Sequence, residues 1–293
     1  MRLRLKQMIF LLLVFFSFFG PAAHAELPRT KTQVIEHDPF GVWRYKKSTR
    51  NFKLITERGA KVVLMPEENT FFTYYIPPNY RSGRILISVH GTGGNPYIAM
   101  QDELDDAQKY DYLPIALSWF SEEKGFFKAE DLYRNILQAL DFIRSETGND
   151  LSKVAYVGFS RGSAVSYEIA YLDAKSENVI DFFISHSGGV PTDLRVEAKN
   201  PNSKPDPFFT GLTEGTLGAE IFKGEKFFLY SGDKDEQWGP KMSLQLENAK
   251  NLIEKNGGEV LEWVRDPEGG HLGFIRSPEL KEKAIRYFIR ETP

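Results

Sequence analysis

The residue of this sequence best suited to chemistry is Ser160, the centre of a G-x-S-x-G pentapeptide at 158–162. Apolar residues at 154–157 predict a short buried strand before it, and small and apolar residues at 163–170 predict a helix after it. A serine between a strand and a helix lies on a turn so sharp that glycine is needed two positions either side. Such a turn exposes the hydroxyl, so Ser160 is predicted to act as a nucleophile.

A serine hydroxyl attacks only when a base accepts its proton, and histidine is the usual base. Beyond the N-terminal apolar segment the chain has four histidines: His37, His90, His186 and His271. We predict that His271 is the base, because it follows the last predicted strand in a glycine-rich loop. His90 and His186 also follow predicted strands. We interpret His90 as a support of its own loop and assign no role to His186 or His37.

The base needs a carboxylate to hold its tautomer, and two candidates follow the strand predicted at 226–231. They are Asp233 and Asp235, and both meet the requirement that the acid follows a strand. Asp235 lies three residues past Gly232, which leaves the loop room to turn back towards His271, so Asp235 is the predicted acid. Asp233 comes directly after the strand, where an aspartate more often shapes the turn.

A carbonyl attacked by serine becomes an oxyanion, which needs N–H donors already in place. We predict that the backbone N–H of Arg161, at the start of the helix after Ser160, is one donor. The second is predicted to be the N–H of Thr92, in the glycine-rich loop at 90–95. This loop lacks the lysine of a phosphate-binding G-x-x-x-x-G-K-[ST] motif and does not fit G-x-G-x-x-G, so nucleotide binding is not predicted.

These residues need a scaffold that brings strand ends together. Strands and helices alternate from residue 84 onwards, which predicts an α/β fold with a mostly parallel central sheet and helices on both faces. Functional residues of such sheets follow the carboxyl ends of the strands. The predicted strands are 61–65, 70–76, 84–89, 113–118, 154–157, 179–185, 226–231 and 259–264, the first two forming a hairpin across 66–69. The predicted helices are 97–109, 131–147, 163–170, 240–256 and 278–290.

The stretch at 190–224 interrupts the alternation. It is rich in proline, asparagine, aspartate and glycine, and irregular stretches of this length in compact domains are often binding loops or lids. We interpret it as a lid-like insert in a single domain at 26–293. Trp119, Phe120 and Trp238 follow strand ends, where they either line an aromatic substrate pocket or pack at its rim.

The first 25 residues predict a secretory signal peptide: basic residues precede an apolar run at 8–19, and Ala23-His24-Ala25 follows. The run is shorter than the roughly 20 apolar residues that span a bilayer. Cleavage after Ala25 is therefore predicted, which makes the protein secreted or periplasmic.

Composition restricts the possible partners. The full chain has a net charge of −3, and loss of the three basic residues of the leader leaves 34 basic against 40 acidic residues, a net charge of −6. No nucleic acid partner is predicted, and no membrane partner after cleavage of the leader. The chain has no cysteine, which excludes disulfides and thiol catalysis. The predicted chemistry requires no metal and no cofactor.

From about residue 70 onwards the chain resembles the α/β-hydrolase superfamily. The resemblance rests on the motifs at 158–162, 90–96 and 232–235 and on the late histidine, His271. The resemblance implies the order nucleophile, acid and base along the chain, which agrees with Ser160, Asp235 and His271. Residues 74–91 are similar to secreted esterases of the polyhydroxybutyrate-depolymerase and feruloyl-esterase group. Those enzymes often carry a cysteine where this chain has Thr92.

The resemblance implies a serine hydrolase that cleaves a small-molecule or polymeric carboxylic ester. A serine peptidase of the same fold is an alternative, although the segment before residue 84 is too short for the propeller that many such peptidases carry. A non-catalytic binding protein is a second, against which the complete set of three residues argues. A dienelactone-type or thioester hydrolase is a third, and the dienelactone type usually attacks through a cysteine.

Overall fold

The structure is a computed structural model that describes residues 33–36, 38, 48–65, 70–121, 125–148, 152–192 and 206–293. The predicted signal peptide, the hairpin turn at 66–69 and His37 lie outside the described residues.

The described residues form a nine-stranded sheet and a separate two-stranded hairpin. The strands are β1 (Gln33–Ile35), β2 (Lys61–Met65), β3 (Thr70–Tyr74), β4 (Arg84–Val89), β5 (Leu113–Leu117), β6 (Phe120–Ser121), β7 (Gly125–Phe126), β8 (Lys153–Phe159), β9 (Phe182–His186), β10 (Lys226–Gly232) and β11 (Glu259–Asp266). Their order in the sheet is β1-β2-β3-β5-β4-β8-β9-β10-β11, while β6 pairs with β7. The pairings β1–β2, β2–β3 and β3–β5 are antiparallel, and the others in the sheet are parallel.

Helices cover both faces of the sheet. They are α1 (Ser48–Glu57), α2 (Pro96–Tyr110), α3 (Ala129–Thr147), α4 (Arg161–Ala174), α5 (Pro207–Glu214), α6 (Lys241–Lys255), α7 (Gly273–Arg276) and α8 (Pro278–Glu291). Successive strand residues point to opposite faces. Ile85 and Ile87 belong to the core cluster that includes residues of α3, α4 and α6, whereas Leu86 belongs to the cluster that includes residues of α1, α2 and α8. No helix in the described ranges combines the length and the apolar character needed to cross a membrane.

The predicted fold class is confirmed, since the sheet is mostly parallel and lies between two helix layers. Strand β4 has the bounds predicted for it, and β2 and β3 form the predicted antiparallel pair. The prediction did not include β1, β6, β7, α1, α5 and α7. Apart from α1, these elements are at most eight residues long. Hydrophobic periodicity over a long window does not detect elements of that length.

Part of the insert at 190–224 is regular structure. Residues 193–205 lie outside the described residues, but α5 follows them, with Asp206 capping its first turn through Phe208 and Phe209. Phe208 is buried and packs on Tyr171 of α4. This half of the insert is therefore anchored to the main core.

Glu225, the residue before β10, is 2% exposed, and neither of its carboxylate oxygens has a hydrogen-bond partner among the described residues. Burial, with smaller contributions from Asp173 and Asp181, raises the pKa of Glu225 from its ordinary 4.5 to about 9. The folded protein therefore keeps this carboxyl protonated at neutral pH, while the unfolded chain ionises it.

We expect the free energy of unfolding to fall as the pH rises from about 5 to 9, since the folded state binds the proton that the unfolded state releases. The contribution is about 1.4 kcal/mol per pH unit between the two pKa values. Glu225→Gln, which is neutral at every pH, removes this dependence. Urea unfolding from pH 5 to 9 measures it, with exposed Glu259→Gln as the matched control. Parallel curves for the wild type and Glu225→Gln would contradict the assignment.

Candidate active site

Ser160 lies between β8 and α4 in a conformation that few residues adopt, with φ 54° and ψ −113°. The backbone around it is packed so closely that side chains do not fit. A Cβ on Gly158 would lie 2.4 Å from the carbonyl oxygen of Gly162, and one on Gly162 would lie 2.1 Å from that of Val89. A Cβ on Gly188 would lie 2.0 Å from the carbonyl oxygen of Ser160. The glycines of the motif therefore allow the sharp turn that exposes the serine.

The structure brings Ser160, His271 and Asp235 together, although they are far apart in the sequence. The hydroxyl of Ser160 lies 3.0 Å from Nε2 of His271, and Nδ1 of His271 lies 2.6 Å from Oδ2 of Asp235. His271 is 5% and Asp235 is 4% exposed. A carboxylate at Nδ1 holds the proton on that nitrogen, which leaves Nε2 able to accept the serine proton.

The two aspartates after β10 have different surroundings. Asp235 faces His271 and also accepts hydrogen bonds from the N–H groups of Gln237 and Trp238, at 2.8 and 2.9 Å. Asp233 accepts from Ser243 and Arg265, which lower the pKa of its carboxyl. Asp233 therefore ties β10 to its neighbours and has no contact with His271 in the described residues.

The glycine-rich loop after β4 runs beside Ser160. A Cβ on Gly91 would lie 2.8 Å from Cβ of Ser160, so the backbone of Gly91 packs directly against the serine. Thr92 is exposed, and Arg161 occupies the first position of α4, where a backbone N–H has no acceptor within the helix. Both predicted oxyanion donors thus lie on segments that flank Ser160.

His90 and Trp119 stabilise this loop through hydrogen bonds to its backbone. Burial lowers the pKa of His90 to about 4, so the ring is neutral, and its Nδ1 lies 2.8 Å from the carbonyl oxygen of Gly91. The indole N–H of Trp119 donates to the carbonyl oxygen of His90 at 2.8 Å. Trp119 is 2% exposed, which leaves it little surface for a substrate, so its contacts fit the packing alternative.

Phe120 and Trp238 are half-buried and retain surface for a ligand. Phe120 packs edge-to-face on Phe126 of the β6–β7 hairpin, and the guanidinium of Arg161 lies 4.4 Å from the centre of the Phe126 ring. Phe126 therefore links Phe120 to Arg161, the residue that follows Ser160. Sequence reasoning missed it because a two-residue strand has no periodicity.

The ring of His186 lies between the rings of two phenylalanines next to the site. Its ring stacks on Phe159 and on Phe274, with centroids 5.2 and 4.4 Å away, and burial lowers its pKa to about 3. The N–H of Ser160 donates to the carbonyl oxygen of His186 at 2.9 Å. His186 is thus a neutral packing residue that supports the elbow through its backbone.

No model of a known protein family matches the chain, and no curated protein does. Solved structures match over most of its length. A fungal esterase structure from Rhizomucor miehei has a TM-score of 0.60 at 16% identity, over 87% of this chain and 92% of that one. A truncated carbohydrate esterase from gut microbiota has a TM-score of 0.58 at 15% identity, over 77% and 92%.

Est1E from Butyrivibrio proteoclasticus, in a structure with ferulic acid bound, has a TM-score of 0.52 at 16% identity, over 76% of this chain and 96% of that one. The chain has the α/β-hydrolase fold. In this α/β-hydrolase fold, Ser160 follows β8, Asp235 follows β10 and His271 follows β11. The resemblance inferred from the sequence is confirmed at the level of the fold.

Proposed function

We propose that this chain is an exported serine hydrolase that cleaves carboxylic esters through an acyl-enzyme. The observation that carries the proposal is the hydrogen-bonded series from Ser160 through His271 to the buried Asp235, at 3.0 and 2.6 Å. A serine on a sharp turn with a base and a buried acid is suited to nucleophilic attack on a carbonyl. The esterases among the similar structures support it, and export rests on residues 1–25, outside the described residues.

In the first half of the proposed reaction, Oγ of Ser160 attacks the ester carbonyl carbon as its proton passes to Nε2 of His271. The negative charge that forms on the carbonyl oxygen is held by the N–H groups of Thr92 and Arg161. The bond to the alcohol oxygen then breaks, and His271 gives its proton to the departing alcohol. Asp235 stabilises the imidazolium in between and keeps its orientation.

In the second half, a water molecule gives a proton to His271 and attacks the acyl group on Ser160. The same two N–H groups hold the new oxyanion. Cleavage of the acyl–serine bond returns the proton from His271 to Oγ of Ser160 and releases the carboxylic acid. The enzyme is restored, and the proposed steps use only the ester, water and groups of the chain.

We expect short soluble esters to be cleaved far faster than long-chain ones. Phe120 packs on Phe126, whose ring lies against Arg161, the residue after Ser160, and the N–H of Trp238 donates to Asp235, so we place a compact aromatic rim around the serine. The buried Phe208 and Leu212 pack α5 of the insert on the core, which leaves no apolar face like that of a lipase lid on this helix. Initial rates on p-nitrophenyl acetate, butyrate and palmitate measure the preference, and Ser160→Ala supplies the background. Preference for palmitate, or activation at an oil–water interface, would identify the insert as a lipase lid.

The same assay, extended to peptide substrates and to fluorophosphonate labelling of Ser160, tests the proposed function itself. Hydrolysis of the short esters at rates well above those of Ser160→Ala supports an esterase. Cleavage of peptide substrates without cleavage of esters would favour the peptidase alternative. Absence of any turnover together with an unreactive Ser160 would favour a binding protein.

A further inference from the structure

His271 lies in a loop whose own backbone hydrogen bonds, from Gly269 to Asp266 and from Gly273 to Gly270, leave the peptide groups of the histidine to partners outside the loop. The loop joins β11 to α7 and includes two consecutive glycines, Gly269 and Gly270, directly before the histidine. Glycine leaves the chain more conformations than any other residue. A base placed after two glycines needs contacts that fix its backbone.

One contact comes from the loop after β10. The N–H of His271 donates to Oε2 of Glu236 at 2.8 Å. Glu236 directly follows Asp235, which contacts Nδ1 of the same histidine at 2.6 Å. Two adjacent acidic residues therefore hold His271 by two different groups, the ring and the peptide.

The other contact comes from the loop after β9. The hydroxyl of Ser187 donates to the carbonyl oxygen of His271 at 2.8 Å. Ser187 is 1% exposed and has a φ of 58°, and its own N–H donates to the carbonyl oxygen of Tyr230 at 3.0 Å. Its side chain is thus aimed at His271 from a position that the sheet fixes.

We propose that Glu236 and Ser187 are positioning residues that hold the two peptide groups of His271 and so place its Nε2 against Ser160. Both flanking peptides are fixed, so the ring has little freedom to leave the serine. An error of about 1 Å in a reacting group can cost on the order of 100-fold in rate. The hydrogen bond from the N–H of His271 also lowers the pKa of Glu236, as expected when it stabilises the ionised acceptor.

The test compares Glu236→Ala, Glu236→Gln and Ser187→Ala, and it rests on the proposed function for its ester substrate. Glu236→Ala and Ser187→Ala are expected to lower kcat by about 10- to 100-fold with little change in KM, because the base is displaced rather than the substrate. Glu236→Gln recovers most of kcat, since its amide oxygen still accepts from the His271 N–H. Glu268→Ala is the matched control, because that exposed carboxylate in the same loop pairs with Lys234 instead.

The rate of covalent labelling by a fluorophosphonate is the second readout, since it depends on the base but not on an ester substrate. Slower labelling in Glu236→Ala, restored in Glu236→Gln, supports the assignment. Wild-type kcat and labelling in Glu236→Ala, or equal losses in Glu236→Ala and the Glu268→Ala control, would overturn it. A wild-type protein that labels at Ser160 but cleaves no ester would refute the proposed function alone, and the labelling comparison would still decide the positioning role.

Discussion

Replacing Ser160 or His271 with alanine is expected to lower kcat for a soluble ester by about 10⁴- to 10⁶-fold. The two side chains are 3.0 Å apart and share one proton, so neither is useful without the other. The double variant is therefore expected to lose little more than either single variant. Initial rates with p-nitrophenyl butyrate measure the three variants against the wild type.

Covalent labelling identifies the nucleophile independently of turnover. A fluorophosphonate is expected to modify Ser160 in the wild type and to leave Ser160→Ala unlabelled. Ser145→Ala, which removes an exposed hydroxyl from α3, serves as the matched control and should label at the wild-type rate. Label on another serine, or full activity after Ser160→Ala, would rule out the proposed mechanism.

Asp235→Asn is expected to lower kcat by about 10⁴-fold, because an amide at this position no longer selects the tautomer of His271 that accepts the serine proton. Asp235 lies 2.6 Å from Nδ1 of His271 and its side chain is fully buried, so water cannot replace the lost charge. Steady-state kinetics over a range of pH, with the melting temperature as a check on folding, measure the effect.

Asp233→Asn is the matched control for Asp235→Asn, since it makes the same chemical change two residues away. Asp233 pairs with Arg265 and Ser243 near the surface, and exposed ion pairs contribute roughly 0–1 kcal/mol to stability. We expect a small loss of stability and kcat close to that of the wild type. The reverse pattern would mean that Asp233 is the acid.

The succession of strands and helices along the chain, and the α/β layers that it implies, followed from local patterns. The apolar run at 84–89 and the helical spacing of Leu132, Ile136 and Ile143 are signals that neighbouring residues create together. The proximity of Ser160, Asp235 and His271 was inferred from their shared position after strands. That inference is topological, because parallel strands end at one edge of the sheet.

Other features required the folded chain. The contacts of Glu236 and Ser187 with His271 join residues 35 and 84 positions apart, and no local pattern distinguishes these side chains from ordinary loop residues. The burial of Trp119 could not be predicted from the sequence either, because a tryptophan after a strand is compatible with a pocket and with a core. Burial of a single side chain depends on which loops cover it.

The close backbone contacts around Ser160 affect how far the sequence can diverge. A Cβ on Gly162 would collide with the carbonyl oxygen of Val89, and one on Gly188 with that of Ser160. Close packing of main-chain atoms therefore determines where Ser160 lies. The half-buried side chains of Phe120 and Trp238 are not among the atoms that a Cβ on these glycines would meet. A turn fixed by main-chain packing tolerates replacement of the side chains around it, and the same fold indeed occurs in solved structures with TM-scores of 0.52–0.60 at 15–16% identity. On the proposed function, Phe120 and Trp238 are accordingly the positions to randomise when a different specificity is sought.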